Sequence, residues 1–392
     1  VSTVVYNFYG SLDSVRLYGR DGVNKEFEFD GTVYVPIETG MGGIRASHVA
    51  CHKYHLIYSF ESSVQISGIG EPYKWTPLFG AAELGTGDLV TNFIAVPGSE
   101  TNAALMITCR DSVSVLYGSS SADWKIVKVS EGYGAQAFSS ATIFGTISFD
   151  RDGFVSYSPT DVFGNFANEQ VSRAIEPLVK NATVLCSVLT RNRSAYKCFF
   201  SDGLFVSAIK VGRKAISWMS GDYGKQIDVA VGGEIAGQYR VFLGDSEGWV
   251  FEADVGRSFD GEVIDASMRL VNVPYGGPFT LSQFRLIELQ TEASTAFELA
   301  LGTEFYDFNA EEVGDTIITP NNFQKQYGTG LFWDFNSWDR AYWDGASANR
   351  VVYDICGQGR SLAILLSSRS DRELPHTLRS AIVTFSPRRL TK

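Results

Sequence analysis

The 392-residue chain is short of basic residues and has no long apolar run. Lysine and arginine total 33 against 44 aspartates and glutamates, a net charge of −11. A free-standing nucleic-acid binder shows a basic stripe, and the short one here, Arg388, Arg389 and Lys392, stands at the very end. No run approaches the roughly 18 apolar residues of a membrane-spanning helix, so membrane insertion is not expected. The opening VSTVVYNFYG lacks both a basic n-region and an apolar core, which argues against a signal peptide. The five cysteines (51, 109, 186, 198, 356) are odd in number, scattered, and form no CxxC pair. That spacing excludes a disulfide framework and a cysteine-based zinc site, and it predicts free buried thiols made in a reducing cytoplasm.

What is present is ordinary globular material, 44% hydrophobic and 20% charged, long enough for two or three domains. Short runs rich in Val, Ile, Phe, Tyr and Thr alternate with Gly, Asp and Ser. One unit recurs: an apolar strand, a polar turn, a second apolar strand. It reads VRLYG-RDG-VNKEFEF, HLIYSF-ES-SVQIS, ALMITC-RD-SVSVLYG, TISFD-RDG-FVSYS, YKCFF-SDG-LFVSAI and YRVFLG-DSEG-WVFEA. The turn markers Asp21, Glu61, Asp111, Asp152, Asp202 and Glu247 follow one another at about 40 to 50 residues, the length of one four-stranded propeller blade. Asp-Gly turns supply the positive φ of a tight hairpin, so each copy has a mechanism. The expected fold is all-β: a β-propeller with about six blades over residues 1–254, then a β-sandwich or jelly-roll-like domain over 255–392 that contains a Trp-rich loop at 331–345. One short helix is expected over Asn168–Val179, where Val171, Ile175 and Leu178 share a face and Pro177 distorts or ends it.

Several motifs invite a chemical reading. Gly244-Asp245-Ser246-Glu247-Gly248 fits G-x-S-x-G, but its flanks are strands rather than a strand and a helix, and His376 lies in the other domain; a hairpin turn is expected. His48, Cys51, His52 and His55 have ligand-like spacing on a helix, yet LIYSF after them reads as strand, which would turn His55 away from His48 and His52. Asp150, Asp152 and Gly153 lack the remaining ligands of a calcium loop. GIGEP and GQGRS lack the third glycine, the strand and the helix of a phosphate loop. No catalytic, metal or cofactor site follows from any of these, and no enzyme is expected.

LFWDFNSWDRAYWDG, residues 331–345, sets Trp-Asp three times: Trp333-Asp334, Trp338-Asp339 and Trp343-Asp344. This spacing alternates faces on a strand and rotates about 140° per step on a helix, so it suits neither. A compact loop with buried indoles and a contact surface rank equal, ahead of a sugar-stacking platform.

NFYGSLDSVRLYGRDGVNKEFEFDGT, VQISGIGEPYKWTP, VLYGSSSADW, FGNFANEQVSRAIEPL and YKCFFSDGLFV resemble, in that order, segments of tailed-bacteriophage virion proteins. Those are the propeller-bearing tail hub, nozzle or tail-stabilisation proteins, whose ends the tryptophan run and RVVYDICGQGRSLAILL also resemble. The resemblance implies a structural protein of the virion tail, assembled in the host cytoplasm as a homo-oligomeric ring, a hexamer, around the genome-ejection channel. Its implied partners are copies of itself and adjacent tail, adaptor or portal proteins, with DNA passing through unbound and no cofactor. An acidic channel wall would repel DNA over the screening length of about 8 Å at physiological salt. The alternative is a tail protein that binds host-surface glycan or receptor.

Overall fold

The computed structural model describes residues 1–11, 14–96, 104–143, 145–159, 166–211, 215–256, 258–277, 280–293, 298–306, 324–327, 349–370 and 376–390. The chain divides into two compact units, Val1–Asp254 and Val255–Lys392.

The first unit is a β-propeller of six antiparallel sheets taken in chain order. Blade 1 contains Ser2–Tyr6, Arg16–Arg20, Phe27–Phe29 and Tyr34–Pro36; blade 2 contains His48–His52, His55–Phe60, Ser63–Ile66 and Ala82–Gly85. Blade 3 contains Val90–Val96, Ala104–Cys109, Ser112–Tyr117 and Lys125–Glu131; blade 4 contains Ala141–Thr142, Thr146–Asp150, Gly153–Pro159 and Phe166–Gln170. Blade 5 contains Val184–Thr190, Ala195–Phe200, Leu204–Val211 and Ala215–Asp222, and blade 6 contains only Val229–Ile235, Gln238–Gly244 and Val250–Glu252. Each turn marker lies between the second and third strands of its blade. The chemistry of these corners is local: Asp21 Oδ1 accepts from the amides of Val23 (2.9 Å) and Asn24 (2.7 Å), and Asp202 Oδ1 accepts from Leu204 N (3.1 Å).

Five apolar clusters join the blades in series. Tyr18 and Leu56 belong to the cluster between blades 1 and 2, Ile57 and Leu105 to the next, and Met106 and Tyr157 to the third. Phe149 and Tyr196 belong to the fourth, and Phe199 and Leu243 to the fifth. The runs HLIYSF, ALMITC and AYKCFF are buried at every position because each is a middle strand covered on both faces. The first strand of each blade lies against the first strand of the next, from blade 1 through blade 6. These six strands carry one carboxylate, Glu234, and no lysine or arginine. The strands that lie against one another along the propeller are thus almost free of charge.

The helix expected over Asn168–Val179 is corrected. Asn168 to Gln170 belong to the fourth strand of blade 4, paired with Val155 to Tyr157. A 3₁₀ turn, Arg173–Ile175, and a single α-turn, Glu176–Val179, follow, with Pro177 in the opening turn. Pro177 cannot sit further inside a helix, because it has no N–H and its ring clashes with the carbonyl four residues back. Val171 and Ile175 do share a partner, the cluster that also holds Val179, but Leu178 is exposed. The thiols also differ in part from expectation. All five are free, and Cys109, Cys186 and Cys198 are buried, but Cys51 is half-buried and Cys356 exposed. Cys356 points away from the core because its neighbour Ile355 points in.

The second unit is a β-sandwich. One sheet takes the order Ile264–Arg269, Ser361–Ser370, Glu298–Tyr306, Gln324–Tyr327, with Val273–Pro274 also paired to Ser361–Ser370. The other takes the order Asn349–Gly359, Thr280–Ala293, His376–Leu390. Alternate residues of both sheets build one core, Ile287, Leu289 and Tyr353 from one and Leu301, Ile364 and Leu366 from the other. The Tyr353 hydroxyl donates to the Leu299 carbonyl at 3.0 Å and ties the layers together.

Candidate interaction surface

The motifs that invited chemistry resolve into structural parts. Gly244 ends the second strand of blade 6 and Val250 begins the third, so Ser246 caps a hairpin. Asp245 Oδ1 closes that hairpin by accepting from Glu247 N (3.0 Å) and Trp249 N (2.9 Å), and Gly248 takes the φ of 92° that the corner requires. His376 opens the last strand of the second unit. Asp150 and Gly153 face each other across the two-residue turn of blade 4. Gly68 and Glu71 of GIGEP form an isolated antiparallel bridge, and GQGRS is the corner between two sandwich strands. Trp333, Asp334, Trp338, Asp339, Trp343 and Asp344 lie outside the described residues.

The histidine cluster corrects one expectation. His48 and His52 lie on the first strand of blade 2, and His55 is the direct cross-strand partner of His52. The tight corner at Lys53 and Tyr54, with φ of 46° and 62°, brings His55 to the same face as the other two. His52 and His55 accordingly both meet the Trp124 ring, at 6.4 and 5.4 Å. His48 is four residues from His52 along a strand, roughly 13 Å, too far to share an ion. His55 Nδ1 lies 2.6 Å from the Ser67 carbonyl oxygen and Nε2 3.3 Å from that of Ser119. Among the described residues no three His, Cys, Asp or Glu side chains converge as a metal site.

Burial, aided by the nearby Arg20 charge, lowers the His48 pKa to about 3, and burial with Lys53 and His55 lowers that of His52 to about 4. Both rings stay neutral when folded, whereas in the unfolded chain they bind protons below about pH 6.5. Stability is therefore full above that pH and falls on acidification towards pH 4, by up to about 1.4 kcal/mol per pH unit for each ring. Urea unfolding of wild type and His48→Gln between pH 7 and 4.5 should show a shallower acid decline for the variant. Equal slopes would remove His48 as the cause.

The feature of the propeller with no internal explanation is its two end faces. On blade 1, Val5, Leu17, Phe29 and Tyr34 stand opposite one another across four strands, all on the face away from blade 2. Phe27 stacks on Tyr34 with ring centroids 4.8 Å apart. None of these five belongs to a buried cluster among the described residues, and Val5 is 62% exposed. On blade 6 the face away from blade 5 presents Val229, Val231, Ile235, Phe242 and Val250. Val229 and Val231 are 62% and 59% exposed, and Val250 is 71% exposed. No packing of first strand on first strand comparable to the other five junctions joins blade 6 to blade 1 among the described residues. Apolar patches of this kind mark interaction surfaces.

Sequence reasoning missed these faces and also a buried ion pair. Lys197 Nζ lies 2.8 and 3.0 Å from the Asp254 carboxylate oxygens and 3.1 Å from the Tyr223 hydroxyl. YKCFF, with one lysine inside a fully buried strand, was the available signal, since lysine is almost never buried without a partner.

Fold and surface together define a β-propeller with a downstream β-sandwich, whose conspicuous surface feature is a pair of open apolar sheet faces. No family model and no curated protein matches the chain. Similar solved structures include BBS1N in complex with ARL6DN, from a crystal soaked with mercury: TM-score 0.46, 16% identity, 64% of this chain and 77% of that one. The same complex soaked with lead gives a TM-score of 0.44 and 15% identity, over 64% of this chain and 76% of that one.

Proposed function

We propose that this protein is a structural component of a bacteriophage tail, a nozzle, hub or tail-stabilising protein whose copies form a ring around the genome-ejection channel. The observation that carries the reading is the pair of uncovered apolar end faces on a propeller whose candidate catalytic motifs are hairpin corners. A chain built this way spends its surface on neighbours. The ordered resemblance of its blade segments to virion tail proteins supplies the setting. In this reading the protein breaks no bond and needs no cofactor. It resides in the virion tail after assembly in the host cytoplasm, and it contacts further copies of itself, in a hexamer, and adjacent tail, adaptor or portal proteins. DNA passes without specific binding, in keeping with a net charge of −11.

Electron-microscopy class averages of the purified protein, and of virions decorated with an antibody against it, test the reading. A ring with an axial hole, found at the tail, is the expected outcome; virions without the protein would overturn it. The second reading, recognition of host-surface glycan, rests on the Trp-Asp repeat, because indole faces stack on sugar rings while carboxylates bind hydroxyls. Glycan-array binding lost in Trp338→Ala would favour it over the structural role.

A further inference from the structure

We infer that the two open end faces of the propeller are the two halves of one interface between copies of this chain: blade 6 of one copy packs on blade 1 of the next. The inference rests on the ring reading above and assigns the surface that would build the ring.

The first support is continuity with an interface the chain already uses five times. At each junction, the side of a blade that looks forward along the chain packs on the backward-looking side of its successor, first strand beside first strand. Blade 6 has an unused forward side and blade 1 an unused backward side. The two open faces therefore have the polarity of a sixth junction. They are not mated within the chain, since Val5 is 62% exposed and Val231 59% exposed.

The second support is composition. On the blade 1 side, the positions that line up across the sheet are apolar or small, Val5, Leu17, Gly19, Phe27 and Phe29, with no charge among them. On the blade 6 side the charges are Arg240 and Glu252, which neutralise each other at 3.4 Å. Two copies of a chain with net charge −11 repel unless the surfaces that meet are nearly neutral, and these two are. The burial pattern agrees: the middle strand of blade 6, Gln238–Gly244, has buried residues on one side only, whereas those of blades 2, 3 and 5 are buried throughout. Such an interface is head-to-tail, because different surfaces meet. It propagates, and it closes into a ring when the rotation per copy allows.

Variants of the full chain that each carry one added cysteine test this directly. Val5→Cys and Val231→Cys are made in a Cys356→Ser background, which removes the exposed native thiol. Mixed and mildly oxidised, the two should give a cross-linked dimer that neither gives alone. In the otherwise wild-type chain, Val231→Glu should weaken self-association at least about tenfold by analytical ultracentrifugation, with an unchanged circular dichroism spectrum. A chain carrying both Val5→Cys and Val231→Cys that closes an internal disulfide at every dilution would overturn the inference, because the seam would then close on itself. A wild type that assembles and is unmoved by Val231→Glu, with no mixed cross-link, overturns the surface and leaves the ring standing. A wild type that stays monomeric at the highest concentration reached overturns both.

Discussion

Gly134→Ala is expected to lower the melting temperature of the first unit by about 6 to 12 °C, the equivalent of about 3 kcal/mol in a domain of this size. A Cβ at position 134 would stand 1.9 Å from the Arg110 carbonyl oxygen, 2.3 Å from its carbon and 2.6 Å from the Cys109 oxygen, all of them backbone atoms. The strand connector cannot retreat. Ala135 N donates to the Cys109 carbonyl at 2.9 Å, and Gln136 N to the Phe149 carbonyl at 2.8 Å, so the chain is held on both sides between blades 3 and 4. Relief requires losing one of these bonds or shifting the corner that carries Asp111. Gly42→Ala is the matched control, because a Cβ there meets nothing within 4 Å. It should change stability by less than about 0.5 kcal/mol. A calorimetric scan in which both variants melt with the wild type would show that the close approach does not exist.

The second large effect concerns the buried ion pair. The Lys197 side chain is 5% exposed and that of Asp254 17% exposed, and Lys197 also lies 5.8 Å from the Phe205 ring and 5.9 Å from that of Tyr223. Asp254→Asn removes the charge and keeps the shape, and asparagine tolerates the φ of 62° at this position. It leaves an ammonium group buried without its counter-ion, which is expected to cost about 3 to 5 kcal/mol. Lys197→Met should cost less, since the aspartate retains partial solvent access and Arg193, 3.7 Å away. The double variant should recover much of the loss, giving a coupling of about 1 to 3 kcal/mol in a double-mutant cycle by urea unfolding. Additive losses would mean that the two side chains act independently and that the pair does not stitch blade 5 to the end of blade 6.

The propeller was legible because its signal is local. Asp21, Asp202 and Asp245 each make a corner from bonds within a few residues, and the recurrence of that corner needs no knowledge of the fold. The helix reading held only for its last turn, Glu176–Val179, for a definite reason at the same scale. Val171 and Ile175 have helical spacing, but the backbone of Asn168 to Gln170 is claimed by the edge of blade 4, and Pro177 confines what remains to one turn. For His55 the strand assignment held, and the error lay in leaving out the hairpin corner, which puts residues 52 and 55 directly opposite.

The candidate surface was less legible. Val5, Leu17 and Phe29 look like any other inward-facing strand residues, and Val231 and Val250 like any blade interior. A strand with apolar side chains on both faces announces that both faces want cover. It carries no record of whether a neighbour is there to provide it.

The chain's own chemistry thus determined the hairpins, their blade-length period and the all-β class, since each depends on contacts between residues close in sequence. Only the tertiary structure decided which sheet faces are sealed and that Lys197 finds Asp254 across two blades. Those outcomes depend on groups brought together from distant parts of the chain, where pattern gives the need for a partner and packing alone supplies it.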